Sequence, residues 1–318
     1  IGATSNNLEI LNSVENCPGI KIYVGSSTGD LHVSDPQVLD TIFANGDKLI
    51  LVHSEDDAII AENYEKLNDQ LHSEDPHLHY QLRSPEAAIK TTKFLSKLAI
   101  KHQRHLHFLH ITSKEETQYL SQINSPFITA EVCPHHLFLS APEDYDRLGT
   151  LIKMNPPVRT KDHQEALWKG LHASVFTTLG SDHAPHTLEE KQQSYSKAPA
   201  GMPGVNYTLP LLLDLLNNNS LSLSTFVALT ATNPAKRFQI KNKGRIAIGN
   251  DADLILVDMN GKTTLNAASS PSLCGWSPFE EKQCKGTLIT TIVNGQIVFQ
   301  EGDFFEEIKG TEAIINPS

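Results

Sequence analysis

Short apolar runs alternate with amphipathic stretches over the first three quarters of this chain. Residues 19–25, 48–53, 105–110, 127–132 and 175–180 are apolar or β-branched runs of strand length, bounded by glycines or polar clusters. Residues 84–102 read as a helix: Ser84 as its cap, Pro85 in the first turn, Glu86 next, then apolar residues at helical spacing through Leu98 and Ile100. Residues 162–172, 208–217 and 223–231 are further helical stretches, the last predicted to end near Asn233-Pro234. Strands alternating with helices imply parallel βαβ units, and strands this apolar are buried on both faces. About five units are present, where a closed (β/α)8 barrel has eight.

From about residue 241 the pattern changes. Residues 244–258 and 290–298 read as short strands, the second carrying an Asn294-Gly295 hairpin turn. The expected organisation is a partial barrel over 1–240 followed by part of a small β-sandwich over 241–318. The chain opens on Ile1-Gly2-Ala3-Thr4 and enters at once an apparent strand-end turn at Ser5-Asn6-Asn7, as if in the middle of a domain.

Composition narrows the classes of function. A hydrophobic content of 39% with 20% charged residues is that of an ordinary globular chain, and 318 residues suit one large barrel or one domain with an appendage. The net charge of -11 argues against a nucleic-acid partner. No apolar run reaches the roughly 20 residues of a membrane span. Four scattered cysteines without a C-x-x-C pair suit reduced thiols in the cytoplasm.

The fifteen histidines change the picture more. His72, His77 and His79 lie in polar, turn-like sequence and read as solvated. Others stand at strand ends, where α/β barrels keep their reactive groups. In order these ends present Lys21, His53, His110 and Asp182, the last within Ser181-Asp182-His183-Ala184-Pro185-His186. Each has an ordinary structural reading: an edge lysine facing solvent, two satisfied core histidines, an aspartate capping a helix. Their joint placement at successive strand ends favours a metal or proton-transfer site, because a buried lysine must be neutralised, paired or modified. Gly25-Ser26-Ser27-Thr28-Gly29 lacks the lysine of a phosphate-binding loop and reads as a mobile loop near a substrate.

Six segments carry a specific resemblance: Ile20-Lys21-Ile22-Tyr23, Val52-His53-Ser54-Glu55, Leu109-His110-Ile111-Thr112, Glu131-Val132-Cys133-Pro134-His135-His136-Leu137, Asn155-Pro156-Pro157-Val158-Arg159 and residues 181–187. Together with the loop 198–204 they resemble the cyclic amidohydrolases, and within them most the dihydroorotases. The resemblance implies a metal-dependent (β/α)8 TIM barrel with a small β-sandwich. It also implies two zinc ions bridged by an N6-carboxylated Lys21, with His53 and His110 on one ion and Asp182 on the other as general base. Asn155 and His186 would contact a pyrimidine ring, with Ala200 and Gly201 binding through backbone groups. Arg159 would either orient substrate or serve a structural role, and His135-His136 would shape the pocket.

The implied reaction is the reversible cyclisation of N-carbamoyl-L-aspartate to L-dihydroorotate, in pyrimidine biosynthesis, by a cytoplasmic homodimer. A hydantoinase or allantoinase, or a non-catalytic scaffold relative, is the alternative. The family's first barrel strand bears a His-x-His pair and nearby Arg and Asn residues, which this sequence does not match. His77-Leu78-His79 and His105-Leu106-His107 have the spacing but sit in the wrong place. The chain thus reads as a family member without about its first three barrel strands and half of its sandwich, inactive or poorly folded by itself.

Overall fold

The computed structural model describes residues 1–25, 31–268 and 270–315; residues 26–29 of the expected mobile loop lie outside them. Five parallel strands form one sheet in sequence order: β1 (Ile20–Val24), β2 (Ile50–Ser54), β3 (Leu106–Phe108), β4 (Ile128–Val132) and β5 (Thr178–Leu179). Register is continuous, with Tyr23 opposite His53, Val52 opposite Phe108, Phe108 opposite Ala130 and Val132 opposite Leu179. Helices connect successive strands, as right-handed parallel crossovers require. This is the arc of a (β/α)8 barrel that the alternation of apolar runs predicts.

The chain's first residues extend the sheet. Ala3 N–H donates to Lys21 O and Lys21 N–H to Ile1 O, each at 2.8 Å, so residues 1–3 run parallel beside β1. A turn follows at residues 5 and 6, where a strand-end turn is expected.

In β1, Ile20, Ile22 and Val24 are buried against the helices, while Lys21 and Tyr23 alternate to the half-buried inner face. The main core joins Ile20, Ile22, Val52, Leu95, Leu106, Phe108 and Val132 to Leu167 and Leu171 from the outer helices. The expected helix over 84–102 runs Pro85–Lys101; Ser84 stands at its N-cap without a side-chain capping bond. Helix Lys114–Gln122, which the sequence reading passed over, starts with a complete capping box between Ser113 and Glu116.

Two boundaries differ from expectation. The helix beginning at Leu223 does not end at Asn233-Pro234: Leu223–Val227 passes through a π-helical turn, Ala228–Thr232, into Asn233–Arg237. Pro234 follows directly on the π-helical turn, the irregularity at which a helix accommodates a residue without an N–H. The expected strand over 244–258 begins only at Leu254, because Ile246 and Ile248 lie fully exposed with no strand partner among the described residues.

The antiparallel sheet that follows has the order β6 (Leu254–Thr264), β7 (Gln283–Val293), β8 (Gln296–Gln300) and β9 (Asp303–Phe304). Asn294 and Gly295 both take positive φ (49° and 78°) in the β7–β8 turn, as a type I′ hairpin demands. This sheet packs on the barrel through a second core that includes Tyr145, Met202, Tyr207, Leu211, Leu265, Trp276 and Phe279. At the seam, Lys285 N–H donates to Asp214 Oδ1 (2.9 Å). Gly286 there lies against Leu213 of helix Val205–Asn217. No described helix is long and apolar enough to cross a membrane.

A Cβ on Gly286 would come within 2.7 Å of Leu213 Cβ, and its φ of +102° disfavours any side chain. Gly286→Ala is therefore expected to destabilise the fold by about 1–3 kcal/mol in chemical denaturation. An unchanged midpoint would show that the sheet docks differently.

Candidate active site

The strands deliver their polar groups to one end of the sheet. His53 is near the end of β2, His110 two residues past β3, Glu131 near the end of β4 and Asp182 three residues past β5, whereas Lys21, expected at a strand end, is the second residue of β1 on its inner face. His110 and Asp182 take positive φ (37° and 38°), an uncommon backbone state that concentrates at functional sites.

His53 and His110 meet directly: His53 Nδ1 lies 3.3 Å from His110 Nε2, both rings buried. On its other side His53 Nε2 bonds Glu55 Oε2 at 2.8 Å. Arg83 grips the same carboxylate oxygen, through Nε at 3.0 Å and also through Nη2. The anionic carboxylate accepts a hydrogen bond from Nε2–H, which leaves Nδ1 as the lone-pair nitrogen facing His110. Burial, opposed by Glu55, lowers the His53 pKa; burial with the His53 and Lys21 charges holds His110 well below the usual imidazole value. Both rings are neutral, as metal ligands must be.

Lys21 and Asp182 are coupled electrostatically to each other and to Glu131, while among the described residues no third His, Cys, Asp or Glu ligand atom closes a cluster with His53 and His110. Burial lowers the Lys21 pKa to about 8 against the pull of Asp182 and Glu131. Burial raises Asp182 to about 6, with Glu131 adding and Lys21 opposing. The Lys21 ammonium rests 4.4 Å from the Tyr23 ring centroid.

The residues fit a zinc-class cation. Two nitrogens bound to one tetrahedral zinc at 2.0–2.1 Å stand about 3.3 Å apart, the separation found between His53 and His110. His110 Nδ1 and Glu55 Oε1 are buried polar atoms without a hydrogen-bond partner. Hard oxygen donors and neutral imidazoles together suit a borderline divalent ion.

The expected substrate contacts lie further along the same chain segments. Asn155 Oδ1 accepts from His79 Nε2 at 3.0 Å. His79, expected to be solvated, is instead buried: Leu78 and Leu82 of its short helix pack with Tyr195, and its pKa falls to about 3, chiefly through burial. His186 is half-buried, its carbonyl accepting from Trp276 Nε1 at 2.8 Å. Gly201 sits beside it, where a Cβ would meet Ala184 O at 2.6 Å and His186 Cδ2 at 3.3 Å. Its N–H already donates to Lys153 O (2.9 Å), leaving the carbonyl for a ligand. Ala200, the preceding residue, is half-buried.

Arg159 is buried, donating to Thr112 Oγ1 (2.9 Å) and to Arg83 O (2.8 Å). His135 and His136 are buried with ring centroids 4.4 Å apart. Sequence reasoning missed Arg83, Glu131 and the role of Glu55. A charge inside the apolar run 127–132, and a glutamate two residues past His53, were the available signals.

Residues 52–298 match the family model described as "Amidohydrolase family". The chain is 32% identical to a dihydroorotase of Pyrococcus horikoshii over 92% of its own length. It spans 64% and 66% of two such Pyrococcus relatives, just under two thirds. Among solved structures it resembles an L-hydantoinase from Arthrobacter aurescens (TM-score 0.89, 27% identity, 98% of this chain and 70% of that one). A dihydropyrimidinase from Brevibacillus agri is similar (TM-score 0.86, 26% identity, 96% and 69%).

Removing the Glu55 carboxylate strands a buried Arg83 charge. Glu55→Gln is expected to cost about 3–5 kcal/mol at neutral pH. Glu55 is buried, which by itself would raise its pKa, but Arg83 and His53 hold it well below the ordinary 4.5. Its contribution is thus present above that value and lost as pH falls below it. Urea titrations from pH 7 to pH 3 should show wild type and variant converging in stability; parallel curves would refute the ion pair.

Proposed function

The chain belongs to the amidohydrolase family, and from that membership we propose that the complete protein is a dihydroorotase. Amidohydrolases are generally metal-dependent. The observation that carries the reading is the facing pair His53 Nδ1 and His110 Nε2, 3.3 Å apart, with Lys21 in electrostatic reach of both rings and of Asp182. The dihydroorotase relatives, over 92% of the chain, favour dihydroorotate as substrate.

His53 and His110 would hold one zinc ion, Asp182 would ligate a second, and a carboxylated Lys21 would bridge them. When bound, the ions supply Lewis acidity and a hydroxide at neutral pH. Lys21 suits carboxylation because burial lowers its pKa to about 8, which makes deprotonation of its amine far less costly than in water. The ammonium first loses one proton to solvent, the freed lone pair attacks CO2, and a second proton leaves the nitrogen, so that the cation becomes an anionic two-oxygen ligand.

Asp182, with its pKa raised to about 6 by burial, suits a general base near pH 7. In ring opening it takes the proton of the attacking water and delivers it to the leaving amide nitrogen. Asn155, His186, Ala200 and the Gly201 carbonyl would line the ring.

Residues 1–240 and 241–318 serve in this reading as barrel and sandwich portions. The net charge of -11 and four unpaired thiols suit a cytoplasmic enzyme of small molecules without nucleic-acid or membrane partners. The homodimer rests on the resemblance alone. A hydantoinase activity is the second reading, favoured by the structural likeness to the Arthrobacter protein.

The test is ring opening of L-dihydroorotate and of hydantoin by the complete, zinc-loaded protein. Turnover of dihydroorotate is expected, and Asp182→Asn should lower kcat by about 10²–10⁴ while changing KM little. Turnover of hydantoin alone would establish the second reading, and no turnover of either a scaffold role.

A further inference from the structure

Cys133, His135 and His136 stand at the corner where β4 turns into the short helix Pro134–Phe138. All three are buried, and one ligand atom from each lies within 4.8 Å of the other two. The surroundings orient them. His136 Nε2 donates to Pro156 O at 3.2 Å, which leaves Nδ1 as a lone pair, and that buried Nδ1 has no partner. His135 Nε2 is likewise buried without a partner. The two rings meet edge-on, with an interplanar angle of 65°.

Two orphaned imidazole nitrogens beside a buried thiol are costly as packing, since buried polar atoms are almost always satisfied. A cysteine–histidine nucleophile is excluded by the chemistry. Burial, with the Glu131 and Asp182 charges, drives the Cys133 thiol well above its ordinary value, whereas a nucleophilic cysteine needs the opposite shift. Burial also keeps both imidazoles neutral. A neutral thiol and two neutral imidazoles form a donor set for a borderline or soft cation, and a poor one for magnesium or calcium, which take oxygen ligands.

We propose that Cys133, His135 and His136 form an additional zinc-class metal site at the β4 corner, with three protein ligands and one open position. It shares no ligand with Lys21, His53, His110 and Asp182, and does not depend on the dihydroorotase reading. Binding exchanges the thiol proton for the cation: the S–H bond breaks, a sulfur–metal bond forms, and one proton passes to solvent per ion. The three ligands fall within four consecutive residues, so little further chain ordering is needed to close the site. An ion there would fasten the β4 corner near His110, whose protonation the neighbouring His136 already disfavours.

The test is cobalt titration of the chelator-treated 318-residue chain, its folding checked by circular dichroism. Wild type is expected to develop thiolate-to-cobalt charge-transfer absorption that zinc in excess of all sites abolishes. Cys133→Ser should lose that absorption, while His53→Ala and Cys17→Ser keep it. Should Cys133→Ser fail to fold, His135→Gln serves in its place, with a weakened band expected. Absence of the band in folded wild type, or its full persistence in a folded Cys133→Ser or His135→Gln chain, would overturn the site.

Discussion

Parallel pairing of β1 through β5 determines which side chains reach the reactive end of the sheet. Because every strand runs the same way and the register is continuous from Tyr23–His53 to Val132–Leu179, the carboxyl ends of all five strands open on one side. Side chains alternate along each strand, so residues facing the helices must be apolar and residues facing inward can be polar. Lys21 between Ile20 and Ile22 is the plainest case. Just beyond β3 and β5 the chain turns through His110 and Asp182 in left-handed conformations, at a cost of about 1–3 kcal/mol each. Pairing of the strands holds those turns in place.

Burial then sets the chemistry. Desolvation makes His53, His110, His135 and His136 neutral, lowers the Lys21 pKa to about 8 and weakens Asp182 as an acid. The same environment makes the Glu55–Arg83 pair consequential, because a charge there has no water to fall back on. Arg159 extends the framework by donating to the Arg83 carbonyl and to Thr112, just past His110. One network thus ties β2, the segment before helix Pro85–Lys101 and the end of β3 around a single imidazole.

The connection between β6 and β7 contributes to this end of the barrel as well, where Trp276 bonds the His186 carbonyl. Lys191, at the end of the short helix Leu188–Lys191, donates from a buried position to the carbonyls of Lys153 and Pro199. Lys153 O also receives the Gly201 N–H, so the segment 198–204 is held from both sides. The pieces expected to line a substrate are therefore positioned through residues far apart in sequence.

Much of this was legible in the residues themselves. Apolar runs located all five strands, helical spacing located Pro85–Lys101 and Lys161–His172, and polar residues at strand ends singled out His53, His110 and Asp182, while Lys21 stood out as a lysine within an apolar strand. These are local properties: a period of two or of 3.6, and a polar group where a strand stops. His79 shows where that ends, since its polar neighbours suggest solvent while Tyr195, over a hundred positions away, buries it. Arg83 on Glu55, the separation of His53 and His110, and the orphaned nitrogens beside Cys133 were likewise decided only by tertiary packing. A periodic pattern reports which face a residue takes, but the partner it finds depends on how distant segments close around it.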